Sequence, residues 1–196
     1  MLRTSHIALE RVRQAMTRFS LTAVVAFAAL GPAAAVAMPD DARQIRDEAS
    51  QALQHLYAST PGSAELGEKA VAVLVFPKIY KAGFLIGGEH GQGVLFKGKE
   101  VAGYYDISAM SLGLQAGAQM FSYALFFMNH TSLAYLDKSD GWALGSGPSV
   151  VLWDRSFASS VSTTTLTQDV FAVPFGGQGL MAGMGLEGSK ISPSKP

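Results

Sequence analysis

Apolar positions recur every three or four residues near the start of the main body of the chain and then change period. In "DARQIRDEASQALQHLYAST", Ile45, Ala49, Ala52, Leu53, Leu56 and Tyr57 mark one face of an amphipathic helix. Asp40 is suited to cap it, and Thr60-Pro61-Gly62 ends it. A short helical turn, "SAELGEKA", follows with Ser63 as its cap. From Val71 the pattern becomes that of strands: "VAVLVF" is a continuous apolar run rich in branched residues, stopped at Pro77. "KAGFLIGG", "GVLF", "VAGYYDI", "SLGLQAGAQMFSYALFF", "GWALGSGPSVVLW", "TTTLTQDVFAV" and "GLMAGMGLEGSKI" are each bounded by glycine or polar residues. Gly113, Gly117, Gly183 and Gly185 sit within such segments, where glycine lets a sheet bend or another backbone approach. One helical interruption is predicted in "NHTSLAYLDKSDG", capped by Asn129 or Thr131 and stopped by Gly141. The expected fold class is α+β and sheet-dominated: a strongly bent, barrel-like, mainly antiparallel sheet with an N-terminal helix and one or two short helices. The tail "SPSKP", 192–196, is expected to be loose.

The first 37 residues are set apart by composition. Arg3, Arg11, Arg13 and Arg18 precede the apolar run "LTAVVAFAAL", and Ala35-Val36-Ala37 supplies small residues at the exit. These are the three parts of a secretory signal peptide, with cleavage expected near Ala37. Leu21 to Leu30 is about half the length that spans a bilayer. The predicted organisation is a leader at 1–37, one domain at 38–191 and the tail. Removing four arginines and Glu10 from a chain of net charge zero leaves 11 Lys and Arg against 14 Asp and Glu. That balance argues against a nucleic-acid partner, which needs a basic face. With no cysteine, the chain has no thiol redox chemistry, disulfide framework or lipidated cysteine. A periplasmic or secreted location is expected.

The glycine- and lysine-rich stretch "FPKIYKAGFLIGGEHGQGVLFKGKE" raises the question of phosphate binding. Gly93, Gly98 and Lys99 copy most of a nucleotide-binding loop, but Glu100 stands where a hydroxyl must hold magnesium, and strands flank the loop on both sides. The glycines instead predict tight connections at Gly87-Gly88 to Gly91-Gln92-Gly93 and at Lys97-Gly98-Lys99. Folding there is expected to gather Lys78, Lys81, Lys97 and Lys99 on one rim, as solvated turn residues or as contacts to an anion or lipid headgroup. His55, His90 and His130 lack a ligand spacing, so no metal or cofactor is assigned. "GSGPS" lacks the order of a nucleophile elbow, and the aspartates sit near element ends, so no catalytic residue is assigned. Asn129-His130-Thr131 matches a glycosylation acceptor, a pattern common by chance. "MFSYALFFM" is apolar on both faces, which fits burial on both sides or an apolar surface for lipid.

Several separated pieces, in order, resemble the SYLF domain family: "AVAVLVFPKIYKAGFLIGGEHGQGVL", "YDISAMSLGLQAGAQ", "FFMNHTSLAYL", "GWALGSGPSVV" and "GLMAGMGLEGSKI". The likeness runs from the first helix to Ile191 and covers most of the chain beyond the leader. It implies a compact domain with a strongly bent sheet and helices, a lipid-binding role, and no enzymatic activity. Bacterial members are exported, whereas eukaryotic ones work at the actin cortex through amphipathic or basic N-terminal segments. Here that segment, "PDDARQIRDEASQALQHLY", is amphipathic but acidic, so neither actin nor a particular phosphoinositide is expected as a partner. Only Lys78 and Lys81 carry over by position. The expected site uses Lys78, Lys81, Lys97 and Lys99 for headgroups and Ile79, Tyr80 and Phe84 for the acyl boundary. The alternatives are a small outer-membrane barrel, against which many strands look too short, and an enzyme without a recognisable motif. A protein partner is not specified by the sequence.

Overall fold

A computed structural model describes residues 39–138, 141–153, 168–177 and 188–196, without the side chains at 39, 84–86, 111–117 and 138. The leader and its cleavage position, and the glycine pair Gly183 and Gly185, lie outside these residues. The described chain is α+β and sheet-dominated, with the sheet curled into a half-barrel. Its order is α1 (Pro39–Ser59), α2 (Ser63–Lys69), β1 (Ala72–Lys97), β2 (Glu100–Phe127), α3 (His130–Lys138), β3 (Trp142–Ala143), β4 (Val150–Leu152), β5 (Val170–Phe175) and β6 (Lys190–Ser194).

Where short strands were expected between Val71 and Phe127, there are two long ones, 26 and 28 residues, paired antiparallel as a single hairpin. The turn is Lys97-Gly98-Lys99-Glu100, as predicted: Lys97 pairs with Glu100, and Gly98 takes φ 62°, the positive value that both tight hairpin turns require at their first position. Gly87-Gly88 and Gly91-Gln92-Gly93, expected as connections, lie inside β1 and pair with β2. These glycines serve a different end. A Cβ on Gly91 would stand 2.7 Å from the Lys78 carbonyl oxygen, and one on Gly93 would stand 2.5 Å from the Phe76 ring. The hairpin is therefore bent double, with the 89–97 arm of β1 laid against the 72–80 arm, and glycine permits that approach.

The outer arms take the remaining strands. β2 pairs β5 through Ser122–Phe127 and β6 through Tyr104–Ser108; β3 adds to β6, and β4 adds to β5 in parallel. Ser192 to Ser194 are thus strand residues paired with Tyr104 to Asp106, which corrects the expectation of a loose tail.

Strict alternation sends apolar side chains to both faces. Ala72, Leu74, Phe76, Tyr123, Leu125 and Phe127 point to one core; Val73, Val75, Ala124 and Phe126 point to the other. The first core is concave, because Trp142 from β3 lies 6.0 Å, ring to ring, from Phe127 several strands away. Leu133 and Leu136 of α3 fill it. The second core is roofed by α1 through Ile45, Ala49, Ala52, Leu53, Leu56 and Tyr57, the predicted stripe. α1 already spans Pro39–Ser59, so Asp40 lies in its first turn rather than before it. Ser63 does not cap α2; its hydroxyl donates to the Leu56 and Thr60 carbonyls. Asn129 does cap α3, since its Oδ1 accepts from the Ser132 backbone N–H at 2.8 Å.

Candidate functional site

Pro77 decides which residues meet solvent at the far end of the doubled hairpin. Phe76 pairs with Tyr123 and Ile79 with Phe121, so Pro77 and Lys78 together face Ser122 alone. That is a bulge, placed where proline has no N–H to give the ladder. Ser122 Oγ fixes it by donating to the Pro77 carbonyl at 2.6 Å. One extra residue reverses the alternation. Before the bulge even-numbered residues enter the concave core, whereas after it Ile79 enters and Tyr80 turns outward.

α1 covers the convex face only as far as this bulge. Lys78 Nζ meets Glu48 of α1 at 2.9 Å, and hydrogen bonding from Gln44 and then from Lys78 lowers the Glu48 pKa. Beyond Lys78 the sheet carries Tyr80 at 57% exposure, paired with Met120 at 52%. Ala82 and Ala118, also paired, are exposed beside them. On the other pair of arms, Met110 is 84% exposed and pairs with Gly88. Three of the four large apolar side chains that stand exposed among the described residues therefore belong to this distal end.

The residues expected to form one site divide as follows. Lys78, Tyr80 and Lys81 lie at the distal end. Ile79 is 0% exposed and packs in the concave core, which corrects its placement at an acyl boundary. The side chain of Phe84 lies outside the described residues. Lys97 and Lys99 are exposed at the hairpin turn, at the opposite end of the doubled arm. Eight residues of strand separate Lys97 from Glu89, about 26 Å. The four lysines do not share a rim: the turn at Gly98 and the bend between the arms lie at opposite ends of the 89–97 arm.

The sequence reading also missed Glu89, which interrupts the concave core near Tyr123 at 5% exposure. Its Oε1 has no hydrogen-bond partner. Burial raises its pKa, and only the nearby Lys81 charge opposes that rise. Burial likewise raises the phenol pKa of Tyr123, with the Glu89 charge adding to it. The one available signal was a lone carboxylate two residues from Gly91. Met110 and Met120 gave none, because a methionine in a strand looks the same whether it is covered or bare.

Among the described residues no group of His, Asp and Glu is arranged to hold a metal ion. Asn129 of the glycosylation-like triplet donates its side-chain amide to Asp169 Oδ1 at 2.9 Å and is tied into the fold. A shallow cavity of about 360 Å³ lies between α1 and the β1 and β6 arms, bordered by Asp41, Gln44, Glu48, Gln92 and Lys195. It lies beside the Lys78–Glu48 pair on the roofed part of the convex face.

No family model matches the chain, and no curated protein is significantly similar to it. The likeness to SYLF domains rests on the sequence pieces alone.

Proposed function

We propose that the chain is an exported, non-enzymatic protein of the cell envelope that associates with lipid surfaces, in keeping with its resemblance to SYLF domains. The observation that carries this reading is the distal end of the hairpin. Tyr80, Met110 and Met120 stand exposed there, on the sheet face whose Val73, Val75, Ala124 and Phe126 are covered by α1. Tyrosine and methionine suit the boundary between headgroups and acyl chains, because each offers an apolar body, and methionine adapts its shape to a fluid neighbour. Lys78 and Lys81 border the patch, so apolar contact would be joined by attraction to anionic headgroups. Lys97 and Lys99, at the other end, are left out of the contact.

The roof formed by α1 favours surface association over a membrane-spanning barrel. A barrel needs a continuous apolar band facing lipid, and here the convex apolar residues are covered by Ile45, Leu53 and Leu56. Flotation with phosphatidylglycerol-containing vesicles tests the reading. The processed protein should float with them, and replacing Tyr80, Met110 and Met120 together by serine should release it without lowering its melting temperature. Failure of the unaltered protein to float with either anionic or neutral vesicles would remove the proposal.

A further inference from the structure

At the distal end both lysines have a carboxylate neighbour, and the two carboxylates differ in kind. Glu48 is partly exposed and already engaged with Lys78 and Gln44. Glu89 is buried on the concave side with one oxygen unpartnered. Since Gly91 lies against Lys78 and Ile79, the next inward-facing positions toward the bend, Glu89 and Lys81, oppose each other across the two arms of β1. Lys81 is half-buried, and its charge is the one that acts on Glu89. The two are not within ion-pair distance, so the carboxylate is left poorly solvated, and its neutral form is favoured.

We propose that Glu89 is a proton-operated latch on the membrane-contacting end: ionised, it holds the Lys81 ammonium toward the half-barrel interior; protonated, it releases Lys81 to anionic headgroups. The inference rests on the lipid-surface reading above and adds its regulation. The direction follows from charge. With Glu89 ionised, the patch around Tyr80 and Met120 has its two lysines offset by Glu48 and Glu89. Taking up one proton at Glu89 leaves Lys81 uncompensated within reach of the surface. An anionic membrane concentrates protons at its own surface, so approach to it favours the released state.

The groups that act on Glu89 come from both strands packed against it. From β1 there is Lys81, and from β2 the Tyr123 phenol, which stays neutral throughout because its pKa is raised. His90 is next in sequence but lies on the opposite, exposed face, paired with Ser108. Asp106 pairs with Gln92 and Ser192 on the β6 side and does not face the carboxylate. His90, adjacent in sequence and outside the proposed contact, is the control that the experiment needs.

The test measures partition of the processed protein onto vesicles of phosphatidylglycerol and phosphatidylcholine in equal parts, and onto phosphatidylcholine alone, at about pH 7.5 and about pH 5.5. On the anionic vesicles acidification should strengthen binding about fivefold, the gain expected for one lysine reaching an anionic surface. On phosphatidylcholine alone the gain should be absent. Glu89→Gln should bind at the higher pH as the unaltered protein does at the lower, with no further gain, while His90→Gln keeps the gain. Retention of the full gain in Glu89→Gln, or its loss in His90→Gln, overturns the latch and leaves the lipid reading standing. Absence of binding by the unaltered protein at both pH values overturns the lipid reading itself. If Glu89→Gln lacks a cooperative thermal transition, Lys81→Met decides: it should lose the gain, and keeping it overturns the latch.

Discussion

Gly91 and Gly93 show how a missing side chain can hold a fold together. With Cβ positions only 2.7 Å and 2.5 Å from the opposite arm of β1, neither site has room for a methyl group unless the arms part. Gly88, on the same strand, has nothing within 4 Å of its Cβ position. Alanine at Gly91 or Gly93 should therefore destabilise the protein by about 1–3 kcal/mol, the usual penalty for overpacking. Alanine at Gly88 should change stability by no more than about 0.5 kcal/mol. Urea denaturation of the three variants checks the contrast, and equal losses at all three sites would mean that the arms are not in contact. Nothing in the sequence separates these glycines from turn glycines. Both read as short interruptions of an apolar run, and only the pairing partner tells a bend from a close approach.

Among the elements, α3, β4 and β5 are held at one corner by Asp169. Its Oδ1 accepts from the Asn129 amide at 2.9 Å, and its Oδ2 accepts from the Ser149 backbone N–H and hydroxyl, each at 3.0 Å. The Asn129 bond, then those from Ser149, hold the carboxyl below the usual aspartate range. A depressed folded-state pKa gives stability that is fully present above the unfolded-state value and is lost as pH falls through the folded value. Asp169→Ala should thus cost about 1 kcal/mol near neutrality, a modest figure because solvent reaches the cluster. The gap from the unaltered protein should shrink as pH drops below about 4. Thermal melts of both proteins across that range check it, and a gap independent of pH would contradict it. The helices were legible because a stripe such as Ile45–Ala49–Ala52–Leu56 needs one covering surface and shows it in its period. The strands were legible as strands but not in their lengths. β1 continues through Pro77 by means of a bulge, and Ser192–Ser194 are ordered by β2, a partner more than eighty residues away in the chain.

At the scale of the whole molecule, two cores lie on opposite faces of one bent hairpin, and what they leave uncovered is the distal end. Of the residues expected to form the site, Lys78, Tyr80 and Lys81 lie together at the distal end. Lys97 and Lys99 are near them in sequence but not in space, because the bend within β1 and the turn at Gly98 lie at opposite ends of the doubled hairpin. On the proposed function, the distal end and not the turn meets lipid. The chain has no cysteine, so a single one can be placed at will. Met110→Cys and Lys99→Cys, each carrying an environment-sensitive fluorophore, should be compared on phosphatidylglycerol vesicles with and without brominated acyl chains. Position 110 should show a blue shift and bromine quenching and position 99 neither; a response at 99 alone, or at neither site with the protein bound, would overturn contact through the distal end.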